Sequence, residues 1–315
     1  MSTPSTARSH AVAVVGAGRM GAAHAAAWAA CDVPVRWVVS PRRRPELAAA
    51  PDAAWATTLD EALADPAVTI VSVCTPTPTH ADLATDALAA GRNVLLEKPI
   101  ALTLEDAERV ASAAASATGI LMVAHVVRFT PGYAALADRV AAGSVGRPRA
   151  VRAARLSAAP AGSAWLADEE RSGGMVVDFA IHDVDQANLL LGTPVAVTAT
   201  AAPGAGGGFG APAAITVEYG GGGVAQLFAV SDLPDGTRFR TSLEVVGESG
   251  VDAMADLPGD PFEAQARYLL ACIADGTPPL RAPVGSAVEA LRVCLAAAES
   301  LRTGRRIPLA GMVGP

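Results

Sequence analysis

The 315-residue sequence lacks a stretch both long and apolar enough to cross a membrane, although 51% of its residues are hydrophobic. Much of that fraction is alanine, whereas a spanning helix needs about 18 or more consecutive, strongly apolar residues. A long stretch without charge, residues 189–217, is interrupted by glycine and proline clusters. We therefore expect no transmembrane helix and no membrane partner.

Excess positive charge and paired cysteines are absent as well, and a signal peptide is not expected. The net charge of −7 at pH 7 argues against a nucleic-acid-binding protein. The first ten residues are polar and the apolar stretch after them is short, which is a poor match to a signal peptide. The sequence also has no Cys-x-x-Cys pair and no Cys/His pair at ligand spacing, so we expect no disulfide, no metal and a cytoplasmic protein with reduced thiols at Cys31, Cys74, Cys272 and Cys294.

Residues 10–125 show alternating strand and helix patterns. Short β-branched runs such as VTIVSVCTP are typical of strands buried on both faces, and stretches such as TLEDAERVASAAASATG are typical of capped helices. Thr58 and Thr103 are the expected helix caps. This alternation predicts a doubly wound parallel sheet of the Rossmann type, the first domain.

The pattern changes over residues 126–315. A helix pattern is followed by PRAVRAARLSAA, PVAVTATAA, AAITVEYG, GVAQLFAVSD and RTSLEVVGE, which are typical of antiparallel or mixed strands. Helices are expected at residues 174–191, 261–275 and 286–303, with the last packing back toward the first domain. The fold class is therefore α/β followed by α+β, and residues 126–315 form the second domain.

A glycine motif, GAGRMG, follows the first predicted strand and opens the first helix. Such a turn lets a pyrophosphate approach the backbone closely, next to the amide groups of a helix N-terminus. The alternative is a merely structural turn, but the strand–turn–helix context favours a dinucleotide site. The expected contacts are Gly16, Gly18, Arg19, Met20 and Gly21.

The segment VVSPRRR, residues 38–44, has no acid where a dinucleotide-binding fold usually has one. A carboxylate at the end of the second strand would bind the ribose hydroxyls and repel a 2′-phosphate. Ser40, Arg42, Arg43 and Arg44 supply instead a hydroxyl and guanidinium groups, which suit a phosphate dianion. The segment therefore predicts NADP rather than NAD, the alternative being a solvated arginine loop.

Two further motifs carry acid–base chemistry. Lys98 ends a predicted parallel strand, so it is expected in the ligand crevice, and Pro99 fixes the backbone there. Asp178 and His182 are four residues apart in an apolar helix pattern and share one face, which suggests proton transfer. A lone histidine in such a helix is more often a core residue, but the three features together favour a catalytic site.

These motifs are similar to those of the glucose–fructose oxidoreductase / inositol dehydrogenase / rhizopine-catabolism (Gfo/Idh/MocA) family. The resemblance covers nearly the whole length and is most specific in the Glu-Lys-Pro and Gly-Gly-x-x-x-Asp-x-x-x-His motifs. It rests on GAGRMG, CTPTPTH, AGRNVLLEKPIALTLEDAERV, VVRFTPGY, SVGRPRAV, SGGMVVDFAIHDVDQANLLLG and ESLRTGRRIPL.

The resemblance implies reversible hydride transfer between a nicotinamide and a carbinol carbon of a sugar, cyclitol or related polyol. His182 is then the general acid/base, Lys98 hydrogen-bonds the reacting oxygen, and Asp178 holds the substrate or orients His182. The other implied cofactor contacts are Glu97 and His80 near the nicotinamide ribose, Thr75 and Pro76 along the crevice, and Arg128 and Trp165 at the nicotinamide end. No metal is needed. Tyr133, Arg152, Arg155, Asp183 and Asp185 are polar residues without an assigned role.

The resemblance also implies an open-faced sheet in the second domain, buried against another subunit in a homodimer or homotetramer. Two other functions share the fold: a regulator that senses the dinucleotide without turnover, and a glycosidase that uses a tightly bound dinucleotide for transient oxidation. Retention of Lys98, Asp178 and His182 argues against the regulator. An arginine segment suited to exchangeable NADP argues mildly against the glycosidase.

Overall fold

A computed structural model describes residues 10–43, 47, 49–158, 165–166, 168–202 and 212–309. The chain divides into two compact units. The first unit consists of Met1–Phe129 and Asp260–Ala287, and the second consists of Thr130–Gly259 and Val288–Pro315.

Helices occur in both units near most of the positions expected from the sequence, but residues 174–191 are not one continuous helix and the short helix at Glu169–Ser172 was not expected. The α-helices of the described residues are α1 (Arg19–Ala30), α2 (Leu59–Leu63), α3 (His80–Ala89), α4 (Leu104–Ser116), α5 (Pro131–Ala141), α6 (Glu169–Ser172), α7 (Ile181–Leu191), α8 (Pro261–Asp275) and α9 (Val284–Thr303). Short 3-10 turns cover Thr77–Thr79 and Val126–Phe129, and a π-helical turn covers Met175–Phe179.

The first unit is built on a parallel sheet in the order β3-β2-β1-β4-β5-β6. Its strands are β1 (Val12–Val15), β2 (Val35–Val39), β3 (Ala54–Ala56), β4 (Ile70–Val73), β5 (Asn93–Glu97) and β6 (Leu121–Ala124). The strand order reverses between β1 and β4, and a doubly wound sheet binds ligands beyond the carboxyl ends of the strands at such a point. The predicted Rossmann sheet is confirmed. The edge strand β3 was missed, because three residues show no periodicity.

Both predicted threonine caps are present. The side chain of Thr103 accepts a hydrogen bond from the Asp106 amide at 3.1 Å, at the start of α4. Thr58 precedes α2, and its backbone amide donates to Glu61 Oε1 at 3.3 Å. Each cap satisfies an amide that the first helical turn leaves without a partner.

The second unit is built on a sheet in the order β12-β11-β7-β10-β9-β8-β13. Its strands are β7 (Pro148–Ala158), β8 (Pro194–Ala201), β9 (Ala213–Tyr219), β10 (Val224–Leu233), β11 (Arg240–Gly247), β12 (Val251–Ala253) and β13 (Ile307–Pro308). The pairing of β7 with β10 is parallel, and the other pairings between these strands are antiparallel. The predicted mostly antiparallel sheet is confirmed.

One face of this second sheet is covered by α7, which contacts β7 and β10. The opposite face presents a row of apolar side chains that are 36–61% exposed, namely Val224, Phe228, Val246 and Val251. Register places them on one face: Phe228 lies opposite Ala154, Ala154 opposite Ser242, and Val246 opposite Val251. This row is called the outer sheet face below.

The division into units differs from the predicted boundary at residue 125. The first unit extends to Phe129 and includes α8, which returns from the distal part of the chain to pack against α1. Leu269 of α8 is fully buried in the same apolar cluster as Trp28. Arg267 adds a hydrogen bond to the carbonyl oxygen of Ala30 at 2.8 Å. The returning helix is thus α8 rather than the last helix, because its apolar face completes the first core.

Among the described residues, no helix is long and apolar enough to span a bilayer. The same residues hold no group of three or more histidine, cysteine or acidic side chains arranged to bind a metal ion. The four cysteines are all buried, and none of them forms a disulfide.

Candidate functional site

The glycine turn between β1 and α1 is shaped for close approach of a ligand. Gly16 has φ of 104°, and a Cβ atom there would lie 2.6 Å from the carbonyl oxygen of Cys74. A Cβ atom on Gly21 would overlap the carbonyl oxygen of Gly16, whereas one on Gly18 would meet no atom within 4 Å. The glycines therefore pack the turn tightly on one side and leave open space beside Gly18, where a pyrophosphate would fit.

The start of α1 leaves its amide groups available to an anion. Arg19 is the first helical residue, and Gly18 has no side chain to cap the turn. The first turn, which is described in full, contains no acidic side chain. Its partial positive charge is therefore not neutralised locally, and the turn fits a dinucleotide phosphate.

The arginine segment follows β2 and is exposed. The hydroxyl of Ser40 donates to the carbonyl oxygen of Arg42 at 3.0 Å, which turns the chain just after the strand. Arg42 and Arg43 are exposed, and the Arg43 guanidinium lies 5.7 Å from the ring centroid of Trp55 in β3. An aromatic ring at this distance steadies a guanidinium without neutralising its charge. Arg44 lies outside the described residues.

Lys98 follows β5 next to a buried carboxylate. Glu97 is 5% exposed, and its Oε2 accepts a hydrogen bond from the Lys98 backbone amide at 3.1 Å. Its Oε1 lies 2.9 Å from His24 Nε2, and His24 is 1% exposed. The peptide bond between Lys98 and Pro99 is cis. Lys98 is the only lysine in the sequence and is partly exposed.

The His24 side chain joins three elements of the first unit. Its Nδ1 lies 2.7 Å from the hydroxyl of Ser72 in β4, and that hydroxyl accepts a hydrogen bond from Trp28 Nε1 at 3.3 Å. Burial alone would lower the pKa of His24, but Cys74 and the Glu97 carboxylate outweigh it and raise the pKa to about 10. Burial raises the pKa of Glu97, but the His24 contact prevails and lowers it. The pair is therefore imidazolium and carboxylate at neutral pH.

The sequence did not single out His24 as a site residue. A signal for it was present, because Gly21, His24 and Trp28 lie on the buried face of α1 at helical spacing. A histidine on that face needs a polar partner. The partners are Ser72, the one polar residue of β4, and Glu97, which follows the apolar run Val94–Leu96 in β5.

His80 links the segment after β4 to the segment after β5. It is 1% exposed, with Nδ1 2.8 Å from the carbonyl oxygen of Pro99 and Nε2 2.9 Å from that of Thr75. Burial lowers the pKa of His80, and the two carbonyl contacts oppose that shift. His80 therefore holds Thr75 and Pro76 close to the Lys98–Pro99 turn. Its contact with the nicotinamide ribose, like those of Thr75, Pro76 and Glu97, stays a prediction.

Arg128 has a contact that the sequence did not suggest. It is 5% exposed, and its Nη1 donates to the carbonyl oxygen of Arg281 at 2.8 Å, between α8 and α9. The Arg281 amide in turn donates to the Tyr268 hydroxyl at 2.9 Å. Arg128 thus fastens the returning segment to the first unit. Trp165 lies in a half-buried turn of the second unit, and the nicotinamide contacts of both residues stay predictions.

Asp178 and His182 occupy the second unit, in a helix that is not uniform. Asp178 is 9% exposed and lies in the π-helical turn, whose Ala180 amide donates to the Met175 carbonyl at 2.9 Å. His182 lies in the first turn of α7 and is partly buried. The sequence predicts one continuous helix here. Gly173 and Gly174, with φ of 78° and 69°, permit the change of direction that leads into the wide turn.

A buried ion pair lies directly beside these two residues. Arg155 of β7 and Asp183 of α7 are 3% and 1% exposed. Arg155 Nε donates to Asp183 Oδ2 at 3.0 Å, and Nη2 donates to Oδ1 at 2.9 Å. Burial, followed by the Asp183 carboxylate, raises the pKa of Tyr133, which borders the pair. The sequence left these three residues without a role, because nothing in it shows that they meet.

Comparison with known proteins matches both units. A model of the oxidoreductase family with an NAD-binding Rossmann fold matches residues 10–125, and a model of the GFO/IDH/MocA C-terminal domain matches residues 133–251. The rhizopine catabolism protein MocA of Rhizobium meliloti is 30% identical over 312 residues, with 91% of this chain and 94% of that protein covered.

Two other curated relatives are dehydrogenases or reductases by name. The scyllo-inositol 2-dehydrogenase (NAD(+)) of Bacillus subtilis is 27% identical over 290 residues, covering 81% of this chain and 82% of that protein. The 1,5-anhydro-D-fructose reductase of Ensifer adhaerens is 36% identical over 137 residues, which are 43% of this chain and 41% of that protein.

The solved structures also match over nearly the full length. The crystal structure of GenD2 from gentamicin A biosynthesis, in complex with NAD, superposes with a TM-score of 0.86 at 29% identity. The match covers 95% of this chain and 96% of that chain. The similarity therefore includes both units.

Proposed function

Since the chain belongs to the GFO/IDH/MocA family of oxidoreductases, we propose that it is an NAD(P)-dependent dehydrogenase acting on a CH–OH group of a sugar, cyclitol or related polyol. The bound nicotinamide would accept or return a hydride. The observation that carries the proposal is the glycine turn, with open space beside Gly18 and an uncapped helix start at Arg19. The names of the relatives, an inositol dehydrogenase and an anhydrofructose reductase, support the substrate class.

We propose NADP as the preferred cofactor. The segment after β2 offers the Ser40 hydroxyl and the exposed guanidinium groups of Arg42 and Arg43, with no carboxylate between Val39 and Arg43. A 2′-phosphate carries a charge that guanidinium groups bind with two hydrogen bonds, and a carboxylate would repel it. The crystal structure of GenD2 contains NAD, so the preference depends on this segment and not on the fold.

Titration of the apoprotein with NADPH and NADH, followed by nicotinamide fluorescence, tests this preference. We expect tighter binding of NADPH, and in Arg42→Ala/Arg43→Ala a loss of at least about 10- to 100-fold for NADPH alone, because even one charged hydrogen bond contributes about 1.5–3 kcal/mol. The matched control is Arg36→Ala/Arg109→Ala, which removes two half-exposed arginines elsewhere in the first unit. Equal affinities for the two cofactors in the parent protein would refute the NADP preference.

We propose that Lys98 and His182 take part in proton transfer, with Asp178 orienting His182 or the substrate. His182 would exchange the hydroxyl proton, and the Lys98 ammonium would stabilise the negative charge that develops on the oxygen. Glu97, which His24 contacts, accepts a hydrogen bond from the Lys98 backbone amide and so fixes the chain at the carboxyl end of β5, where Lys98 is partly exposed.

Substitution separates these roles from cofactor binding. Lys98→Ala and His182→Ala should each lower kcat about 10²- to 10⁴-fold while NADPH binding changes little. His10→Ala, which removes a partly buried histidine at the start of the described chain, is the matched control. Full activity of either catalytic variant would contradict the assignment.

The single lysine allows a second measurement. Reductive methylation with ¹³C-formaldehyde labels Lys98 and the N-terminal amine, so one side-chain signal reports on the site. We expect that signal to move when NADPH is added. A signal that does not move would place Lys98 away from the cofactor.

We propose that the outer sheet face is an interface between copies of this chain, giving a homodimer or homotetramer. Phe228 lies on this face opposite the small residues Ala154 and Ala214, and is 44% exposed. Several exposed apolar side chains on one sheet face, here with the Arg152–Glu244 ion pair among them, are typical of a surface that another chain covers. Light scattering after size-exclusion chromatography should show an oligomer that Phe228→Glu dissociates, and a monomeric parent protein would refute this proposal.

A further inference from the structure

The Arg155 guanidinium occupies the junction of three elements in the second unit. It extends from β7, an inner strand of the sheet, and forms two parallel hydrogen bonds with Asp183 in the first turn of α7. Its carbon centre also lies 5.7 Å from the ring centroid of Phe179, in the π-helical turn, and 5.8 Å from that of Phe239. The side chain is 4% exposed, so these contacts are screened from water.

The two residues that Arg155 contacts in the helical segment have a common property. Phe179 directly follows Asp178, and Asp183 directly follows His182. One planar, rigid group therefore touches the immediate neighbour of each residue proposed for proton transfer. The segment between them contains the change from π-helical to α-helical turns.

Such a contact restricts geometry more than it adds stability. A buried ion pair recovers little net free energy, because both charges lose their hydration. A side-on pair with two hydrogen bonds is, however, strongly directional, and lysine cannot reproduce it. Displacement of a proton-transfer group by about 1 Å can reduce turnover by about 100-fold.

We propose that Arg155 is a positioning residue, which through Asp183 and Phe179 fixes the spacing and direction of Asp178 and His182. The inference rests on the proposed function, because the consequence for turnover requires that His182 transfers a proton. Its geometric part, that Arg155 sets the placement of the His182 ring, holds independently of the reaction.

The central variant replaces the ion pair by apolar side chains, Arg155→Met/Asp183→Leu. Such replacements are often neutral or favourable for stability, so the protein is expected to fold. The control is Arg139→Met/Asp252→Leu. That pair is in the same unit and has the same side-on arrangement, at 2.9 and 2.8 Å, but it joins α5 to β12. Arg155→Lys is the second variant, because it keeps the charge and loses the paired hydrogen bonds.

Steady-state kinetics give the first result. We expect the central variant and Arg155→Lys to lose about 10- to 100-fold in kcat, with the KM for the dinucleotide changed less than threefold. The control should keep kcat within about twofold. A central variant that folds and turns over at the parent rate would overturn the proposal, as would an equal loss in the control. If the central variant does not fold, Arg155→Lys decides by the same criteria.

A spectrum without substrate distinguishes failure of this inference from failure of the proposed function. The sequence has five histidines, so a ¹H–¹³C spectrum of the ring Cε1 groups is simple, and His182→Gln identifies the His182 signal. We expect that signal to move in the central variant and in Arg155→Lys, and to stay in the control. An unmoved His182 signal would overturn the positioning role even if the parent protein oxidises polyols. A moved signal in a protein without turnover would refute the proposed function alone.

Discussion

Each unit contains one buried ion pair beside a residue proposed for proton transfer. In the first unit His24 contacts Glu97, which precedes Lys98, and in the second Arg155 contacts Asp183, which follows His182. Both pairs tie a helix to a strand: α1 to β5, and α7 to β7. Both are almost inaccessible to water, with side-chain exposures of 1% and 6% in the first pair and 4% and 1% in the second.

The difference lies in the cation. His24 is an imidazole, and its positive charge depends on its proton. Its pKa is raised to about 10, so this charge is lost when the pH rises into the alkaline range. Burial would lower the pKa of Arg155, but Asp183 raises it, so the guanidinium keeps its proton throughout that range. The first unit thus uses a titratable cation in its buried ion pair, whereas the second unit uses a cation that keeps its charge. The first unit should respond to alkaline pH and the second should not.

Of the changes considered, removal of one residue of a buried ion pair should lower the free energy of unfolding the most. We expect Arg155→Met to lower the free energy of unfolding by about 3–5 kcal/mol, because it leaves the Asp183 carboxylate buried without a counter-charge. His24→Gln should cost less, because the glutamine amide can still donate to Glu97. Urea denaturation followed by circular dichroism measures both.

The exposed pair of Arg139 and Asp252 is the control for this measurement. Arg139→Met should change the free energy of unfolding very little, because water solvates both groups in either state. Equal losses in Arg139→Met and Arg155→Met would show that burial does not distinguish the two pairs.

Much of the fold could be predicted from the sequence, because its signals are local. The glycine turn, the β-branched strands and the threonine caps act within a few residues, and β1, β2, β4, β5 and β6 appear where they were expected. The return of α8 to the first unit could not be predicted in this way. The sequence shows that α8 has an apolar face but not which core that face joins, and only the packed structure shows Leu269 in the same cluster as Trp28.

The candidate site shows the same division. Lys98 and His182 stand out because motifs surround them, whereas the partners of their neighbours are distant in the sequence. Ser72 and Glu97 are 48 and 73 residues from His24, and Arg155 is 28 residues from Asp183. A polar residue in an apolar strand or helix face shows that a partner exists, but not which one. The π-helical turn at Asp178 has no sequence signal that periodicity detects.

The second prediction, with an effect of intermediate size, concerns how the contribution of His24 to the free energy of unfolding changes with pH. A raised pKa in the folded state means that His24 contributes its stabilisation fully below about pH 6.5, the ordinary value, and loses it as the pH rises through about 10. The free-energy difference between the parent protein and His24→Gln should therefore shrink between these values with a slope that approaches about 1.4 kcal/mol per pH unit.

The Arg155 pair provides the contrast for this second prediction. The free-energy difference between the parent protein and Arg155→Met/Asp183→Leu should stay constant from pH 6.5 to 10, because the guanidinium does not titrate there and the variant introduces no group that does. Denaturation series at several pH values measure both slopes. A flat difference for His24→Gln would show that His24 is neutral in the folded protein, and the comparison between the units would lose its basis.

The smallest expected change in the free energy of unfolding concerns Ser72, which contacts the His24 ring of the His24–Glu97 pair. Ser72→Ala removes the acceptor that the Trp28 ring N–H uses at 3.3 Å and the partner of His24 Nδ1 at 2.7 Å. We expect a loss of about 1–2 kcal/mol in the free energy of unfolding, the range for buried donors left without an acceptor. Ser116→Ala, at an exposed position in α4, is the control and should cause almost no change.

A double-mutant cycle shows whether this loss passes through His24. If Ser72 orients the imidazolium toward Glu97, Ser72→Ala should cost less in the His24→Gln background than in the parent protein, with a coupling of about 0.5–1 kcal/mol. If the two losses simply add, Ser72 serves only the Trp28 ring, and the imidazolium is held by Glu97 alone. The first unit would then resemble the second more closely, with one carboxylate opposing one cation.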